Sequence, residues 1–257
     1  RRSYKEPVET FETNVMGTIN LMNALMVNEA CPWAILITTD KVYQNVEKMA
    51  GYREEEPLGG KDPYSASKAA TEIAISAWQN LSEIRNRIKF ISARAGNVIG
   101  GGDHSEDRLL PDLIRGFKAN QKTIIRNPQS IRPWQHVLDP LEGYLKLGTL
   151  VGKQKLSKAY NFGPAEISKL TVAQMADAAC DYWPNNTGYE IQVDPNNPPE
   201  SQLLWLDSAL AKKELGWQTK LSAKEAIDWT LEWQLKEEKV GTLIAMDEQI
   251  TRFFGGS

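Results

Sequence analysis

The chain has 257 residues, 41% of them hydrophobic, which is enough for one large α/β domain or for a domain with a smaller appendage. A net charge of −3 and a pI near 5.6 argue against nucleic acid or an anionic membrane surface as the main partner. The two cysteines have no metal-binding spacing, and no apolar run of about 18 residues occurs. We therefore expect no metal, no membrane span and a cytoplasmic location.

Helical and strand patterns alternate in the first part of the chain. Apolar residues recur at helical spacing from Pro7 to Asn28, and Cys31-Pro32 should end that helix. The apolar run 33–37 reads as a strand buried on both faces, as in a parallel sheet. The elements expected next are a polar surface loop over 42–61, a helix over 64–80, a strand over 88–93 and a loop over 94–102. This rhythm predicts a parallel α/β sheet.

The second part of the chain has a looser pattern. It predicts helices over 109–119, 140–151, 172–183, 208–215, 223–237 and 242–254. It predicts strands over 123–125, 160–162, 189–193 and 203–206, and a proline-rich loop over 194–200.

Tyr64 and Lys68 lie four residues apart near the start of a predicted helix, with Pro63 at its first position. A tyrosine that acts as a base near neutrality needs its pKa lowered by roughly three units, or about 4 kcal/mol. A lysine ammonium about 4 Å away supplies about that much at an effective dielectric of 20. Without further context the pair is equally well an ordinary contact on a helix surface.

Polar residues follow the two predicted strands that flank this helix. Thr39-Asp40 comes directly after the first strand, and Asn97 follows the second. Right-handed crossovers place the carboxyl ends of consecutive parallel strands at one edge of the sheet, where ligands of open α/β sheets bind. We therefore expect these residues and Tyr64 to share one crevice.

A glycine-rich dinucleotide turn is missing, because no Gly-x-Gly-x-x-Gly or Gly-x-x-Gly-x-x-Gly pattern follows a strand. The first predicted element is already a long helix. We expect the chain to lack about the first hundred residues of a whole domain, by the size of a few βα units.

Several motifs together resemble a known family, the extended short-chain dehydrogenase/reductases that act on nucleotide sugars. They are Asn14-Val15-Met16-Gly17-Thr18, Thr38-Thr39-Asp40, Tyr64-x-x-x-Lys68, and Leu206-Asp207 followed by Leu215-Gly216-Trp217. The resemblance extends over essentially the whole chain. Within the family, Lys41 and the segments 94–103, 108–112 and 131–137 resemble the CDP-glucose 4,6-dehydratases, whereas dTDP-glucose dehydratases carry an acidic residue in place of Lys41.

The resemblance implies a fold and a domain division. The implied fold is α/β, with an NAD-binding Rossmann-like doubly wound parallel sheet that is N-terminally incomplete and a smaller C-terminal α/β substrate lobe. Residues 1–102 would form the C-terminal part of the NAD-binding domain with the catalytic residues. Residues 103–257 would form mainly the nucleotide-sugar lobe, with some segments returning to the Rossmann core. The helices over 7–28 and 64–80 would pair across a homodimer.

The implied activity converts a nucleotide-linked glucose to its 4-keto-6-deoxy form by an internal redox cycle on NAD, in deoxysugar synthesis for lipopolysaccharide. The catalytic residues would be Thr39, Asp40, Lys41, Tyr64 and Lys68. Thr39 would bind the 4-oxygen, Asp40 would protonate the departing 6-hydroxyl, and Lys41 would be the base at C5.

The resemblance also implies cofactor and substrate contacts. Thr38, Tyr64 and Lys68 would contact the cofactor, and Asn14 would relay protons. The implied substrate contacts are Asn97, Arg108 and Arg132, since arginine suits a diphosphate through its planar donor fork.

Two alternatives stay open from sequence. One is a related enzyme, either another nucleotide-sugar dehydratase or a UDP-sugar 4-epimerase. The other is a catalytically incompetent nucleotide-sugar-binding protein, because the chain has no glycine-rich turn to hold the pyrophosphate of NAD. His136 is read as a partly buried structural histidine and not as a catalyst.

Overall fold

The computed structural model describes residues 2–28, 31–85, 88–164, 169–192 and 203–255. The chain divides into two compact units. Unit 1 comprises Arg1–Gly96, Glu142–Gly163 and Leu204–Gln218, and unit 2 comprises Asn97–Leu141, Pro164–Leu203 and Thr219–Ser257. The predicted elements that fall on residues 193–202, including the proline-rich loop over 194–200, lie outside the described residues.

The α-helices are α1 Arg2–Lys5, α2 Pro7–Phe11, α3 Gly17–Asn28, α4 Pro63–Ile84, α5 Leu109–Ala119, α6 Leu138–Leu150, α7 Val172–Tyr182, α8 Ala209–Leu215, α9 Ala223–Val240 and α10 Thr242–Phe254. The strands are β1 Trp33–Thr39, β2 Lys89–Ala95, β3 Val98–Ile99, β4 Thr123–Ile125, β5 Ile131–Pro133, β6 Gln135–His136, β7 Ala159–Phe162, β8 Lys169–Thr171 and β9 Tyr189–Ile191.

Unit 1 is built on a parallel sheet in the order β1-β2-β7. Helix α4 connects β1 to β2 and packs on β2, as a βαβ crossover requires. The apolar faces of α3 and α4 meet β1 and β2 in a core of Met22, Met26, Leu36, Ile75, Ile88 and Phe90. The predicted parallel α/β sheet is confirmed. The register aligns Thr39 with Ala95, so both strands end at the same level.

The long first helix is confirmed but interrupted. A π-helical turn, Glu12–Met16, lies between α2 and α3 and contains Asn14. π-Helical turns inside α-helices are frequent at functional sites, because they shift one side chain out of the regular helical spacing. The Thr18 hydroxyl donates to the Asn14 carbonyl oxygen at 2.7 Å, which helps to satisfy the backbone there.

The described residues of unit 2 form three two-stranded sheets and a helical core. β3 pairs with β6 and β4 with β9, both in parallel, and β5 pairs with β8 in antiparallel fashion. A hydrophobic cluster joins the buried faces of α5, α7 and α9, including Leu113, Met175 and Ile227. The sequence missed β3, β5, β6 and β8 because two- or three-residue strands leave no periodic signal.

Two predictions for unit 1 were wrong. The segment 42–61 is not only a surface loop, since Val42, Tyr43 and Tyr52 are buried and form a cluster with Leu204 and Leu206. The expected strand over 203–206 is no regular strand in its described residues, and only an isolated bridge joins Leu206 to Tyr52. Polar residues dominate 42–61 and hide its few apolar anchors, whereas 203–206 is entirely apolar and its run of hydrophobic residues reflects burial and not a regular strand.

Candidate active site

The carboxyl end of β1 carries a row of buried polar side chains. Thr38 and Thr39 are each 8% exposed, and Asp40, at the start of the 3₁₀ turn Asp40–Val42, is 2% exposed. The Thr39 hydroxyl donates to Asp40 Oδ1 at 2.9 Å and accepts from the Lys41 backbone N–H at 3.4 Å. A hydroxyl and a carboxyl are thereby fixed together at the strand end, while the Lys41 side chain is exposed.

Helix α4 begins one residue before Tyr64, as the proline at its first position predicts. The Asp62 carboxylate caps the helix by accepting from the backbone N–H groups of Tyr64 and Ser65, each at 3.0 Å. Tyr64 is 37% exposed, and the Lys41 ammonium lies 5.9 Å from the centre of its ring. The strand end and the first turn of α4 therefore do converge, as the sequence predicts.

Beneath Lys68 lies an ion pair that the sequence reading missed. Glu72 accepts from Arg94 at 2.8 Å, and their side chains are only 3% and 5% exposed. Glu72 Oε1 also accepts hydrogen bonds from the hydroxyls of Thr38 and Ser92. Glu72 follows Tyr64 by eight residues and Lys68 by four, so helical spacing could have placed it on the same face.

Glu72 and Lys68 each have a pKa below the ordinary value, for different reasons. Burial alone would raise the pKa of the Glu72 carboxyl, but hydrogen bonding and charge from Arg94, with hydrogen bonds from Ser92 and Thr38, hold that pKa below its usual value. Burial lowers the pKa of the half-buried Lys68 ammonium, and the charge of Glu72 acts in the opposite direction. Glu72 thus favours the charged form of Lys68.

The other side of Arg94 anchors the segment that precedes α4. Arg94 donates to the Tyr43 hydroxyl at 2.8 Å and to the Glu54 carbonyl oxygen at 2.9 Å. The Tyr43 hydroxyl in turn donates to Asn161 Oδ1 at 2.7 Å, and burial raises the pKa of Tyr43. Through these bonds one buried guanidinium connects β2, β7 and the segment that leads to Tyr64.

Asn14, in the π-helical turn, is hydrogen-bonded to the adjacent face of α4. Its side-chain amide donates to the Ser67 hydroxyl at 2.9 Å, and its carbonyl oxygen accepts from the Thr71 hydroxyl at 3.0 Å. The Ser67 hydroxyl also donates to the Tyr64 carbonyl oxygen at 2.7 Å. Asn14 is therefore one hydrogen-bonded residue away from the helical turn that carries Tyr64 and Lys68.

Gly96, the residue after β2, lies directly against Asp40. A Cβ atom built on Gly96 would stand 2.1 Å from Asp40 Cγ, 2.1 Å from Oδ2 and 2.5 Å from Oδ1. Real Cβ atoms do not approach other heavy atoms so closely. The sequence reading placed this glycine in a glycine-containing loop and assigned it no role.

The three predicted substrate residues belong to unit 2. Asn97 adopts a left-handed backbone conformation with φ of 50°, and its carbonyl oxygen accepts from the Gln135 backbone N–H at 3.3 Å. Arg108 is the exposed residue immediately before α5, and the partly buried Arg132 lies in β5. Their role in binding a diphosphate stays a prediction.

Metal-binding clusters and membrane-spanning helices are both absent from the described ranges. No group of three or more His, Cys, Asp or Glu side chains there could hold a metal ion. Within the same ranges, no helix is both long and apolar enough to cross a membrane.

Comparison with known proteins identifies the family. The family model described as GDP-mannose 4,6 dehydratase matches residues 1–230. The chain belongs to this family. A similar curated relative is the CDP-glucose 4,6-dehydratase of Salmonella typhimurium (strain LT2), which is 41% identical over 240 residues. That alignment covers 91% of this chain and 67% of the relative. The predicted membership of the extended short-chain dehydrogenase/reductases is thereby confirmed.

Solved structures share the fold. A UDP-glucose 4-epimerase from Thermotoga maritima matches with a TM-score of 0.78 at 21% identity, over 92% of this chain and 74% of that one. A dTDP-glucose 4,6-dehydratase from Bacillus anthracis, in complex with NAD, matches with a TM-score of 0.74 at 21% identity, over 89% of this chain and 70% of that one. The predicted Rossmann-like fold is confirmed.

Proposed function

We propose that this protein is an NAD-dependent hydro-lyase that converts CDP-glucose to CDP-4-keto-6-deoxyglucose. The observation that carries the proposal is the convergence of Thr39-Asp40, at the end of β1, with Tyr64 and Lys68 on α4. The 41% identity to a CDP-glucose 4,6-dehydratase supports the choice of reaction and substrate.

The residues near Tyr64 suit a nicotinamide cofactor. Lys68 is half-buried and, in the part of the chain that the structure describes, its ammonium has neither a hydrogen bond nor an ion pair. A buried ammonium without a partner is costly, and ribose hydroxyls would satisfy it. We infer that Lys68 and Tyr64, together with Thr38, contact the nicotinamide riboside. The bound cofactor would supply a hydride acceptor for C4 and a hydride donor for C6.

The chain's own groups move the protons. Tyr64 removes the proton of the 4-hydroxyl, while the Lys68 ammonium stabilises the phenolate form. On substrate binding the Thr39 hydroxyl turns its single proton from Asp40 Oδ1 to the 4-oxygen, and the resulting ketone acidifies the proton at C5. Lys41, as the neutral amine, takes the C5 proton, Asp40 gives its proton to the 6-hydroxyl, and the C6–O bond breaks to release water. Lys41 returns its proton to C5 when C6 is reduced. Asn14 relays the proton from Tyr64 through water.

Substrate binding is assigned to unit 2. Asn97, Arg108 and Arg132 bind the sugar diphosphate, for which the planar guanidinium fork of arginine is well suited. The nucleotide-sugar lobe proposed for residues 103–257 would carry two of these residues.

A homodimer is the assembly that we propose. The helical segments of unit 1 expose large apolar side chains, including Val8 at 70%, Phe11 at 39% and Ile73 at 61%. Such side chains on long helices suit a helix-helix interface between two copies. Size-exclusion chromatography with light scattering checks this, and a monomer at all concentrations would contradict it. The cytoplasmic location and the role in lipopolysaccharide deoxysugar synthesis stay predictions.

Incubation of the full-length protein with NAD+ and CDP-glucose tests the function. We expect a 4-keto-6-deoxy product, detected by mass spectrometry as the loss of one water. Release of the C4 epimer instead would assign the epimerase alternative. Titration of NAD+ in the same preparation tests the non-catalytic alternative, which predicts nucleotide-sugar binding without saturable binding of the cofactor.

A further inference from the structure

We propose that Gly96 is a positioning residue for the general acid, because the Asp40 carboxyl occupies the space that any side chain at position 96 would fill. The proposal rests on the proposed function, in which Asp40 protonates the departing 6-hydroxyl.

The contact involves the functional atoms of Asp40. The Cβ position of Gly96 lies within 2.5 Å of Cγ and of both carboxyl oxygens. Any side chain at position 96 therefore displaces the carboxyl or moves the end of β2. The carboxyl is the terminal group of a short side chain, whereas β2 is held between β1 and β7. The carboxyl is the group that gives way.

The Asp40 carboxyl is buried and hydrogen-bonded, so any movement of it breaks an existing contact. Asp40 is 2% exposed, and its Oδ1 accepts from the Thr39 hydroxyl at 2.9 Å. A displaced carboxyl breaks this bond and leaves the position from which we propose that it protonates the 6-hydroxyl. Gly96 thus holds the acid in place through one steric contact.

The expected defect is confined to one step. Oxidation at C4 uses Tyr64, whereas elimination breaks the C6–O bond and needs the Asp40 proton to form water. A displacement of about an ångström can cost on the order of 10²-fold in rate. In Gly96→Ala we expect about this loss of kcat with KM nearly unchanged. After acid quench, mass spectrometry should find a nucleotide-linked 4-ketone that keeps its 6-hydroxyl.

Gly59→Ala is the matched control, because its Cβ would stand at an ordinary contact distance of 3.4 Å from Gln44 Cβ. We expect it to keep wild-type turnover. If Gly96→Ala also turns over normally, or if it loses C4 oxidation as fully as elimination, the assigned role is wrong. A wild-type protein that makes no 4-keto-6-deoxy sugar would instead refute the proposed function.

A stability cycle tests the contact without reference to activity. Asp40→Ala removes the carboxyl and leaves room for a methyl group at position 96. We expect Gly96→Ala to lower the melting temperature in the wild-type background and not in the Asp40→Ala background. An equal drop in both backgrounds would show that the methyl group meets something other than Asp40, and would overturn the proposal.

Discussion

Mild acidification should destabilise unit 2, because His136 is buried there as a neutral imidazole. Its side chain is fully buried in β6, with the ring 5.7 Å from that of Trp229, and Nδ1 accepts from the Leu138 backbone N–H at 3.3 Å. Burial lowers the pKa of His136 from its ordinary value of 6.5 to about 4. The folded protein therefore holds a neutral imidazole where the unfolded chain would hold a cation.

The sign and size follow from proton linkage. Above 6.5 the imidazole is neutral in both states and has no effect on the free energy of unfolding. Between 6.5 and about 4 only the unfolded state takes up the proton, so the free energy of unfolding falls as the pH falls. About 1.5 pH units separate 6.5 from about pH 5, and each corresponds to about 1.36 kcal/mol. The expected loss is about 2 kcal/mol.

Urea unfolding near pH 7 and near pH 5 measures this loss in the wild type and in His136→Gln. The variant cannot take up this proton, so its stability should fall by about 2 kcal/mol less between the two conditions. Comparing the two pH dependences cancels both the packing cost of the substitution and the contribution of carboxylates. His104→Gln, at the exposed second histidine, controls for the removal of an imidazole. Equal pH dependence in His136→Gln and the wild type would refute the reasoning.

The remaining predictions concern α4. Tyr64→Phe should lower kcat by at least about 10²-fold and leave nucleotide binding nearly intact in calorimetry, since only the acidic hydroxyl is removed; unchanged turnover would exclude Tyr64 as the base. Glu72→Gln should cost roughly 3 kcal/mol in urea unfolding, because it leaves the buried Arg94 charge uncompensated, and a cost below about 1 kcal/mol would contradict this. Without the Glu72 charge the pKa of Lys68 falls further, so the alkaline limb of the pH–rate profile should move to lower pH. Gly60→Ala should lower both the melting temperature and kcat, because its Cβ would stand 2.3 Å from the backbone of α4, and a wild-type melting curve would count against that contact.

Regular elements were predictable because their signals are local. The bounds of α5, β4 and α10 follow from helical or strand spacing within one short window, and the structure reproduces all three. The short strands β3 and β6 were not predictable, since each is only two residues long and pairs with a segment more than thirty residues away. The buried part of 42–61 was missed because its two tyrosines are isolated among polar residues.

The candidate site also has features that the sequence predicts and features that only the tertiary structure shows. The sequence by itself determined that a hydroxyl, a carboxyl, a tyrosine and a lysine would meet at a strand end, since crossover handedness and helical spacing are general rules. Only the tertiary structure showed what surrounds them. Glu72 pairs with Arg94 across two elements, and Gly96 meets Asp40 across neighbouring strand ends. Such contacts depend on the packing of side chains distant in sequence, which no local pattern records.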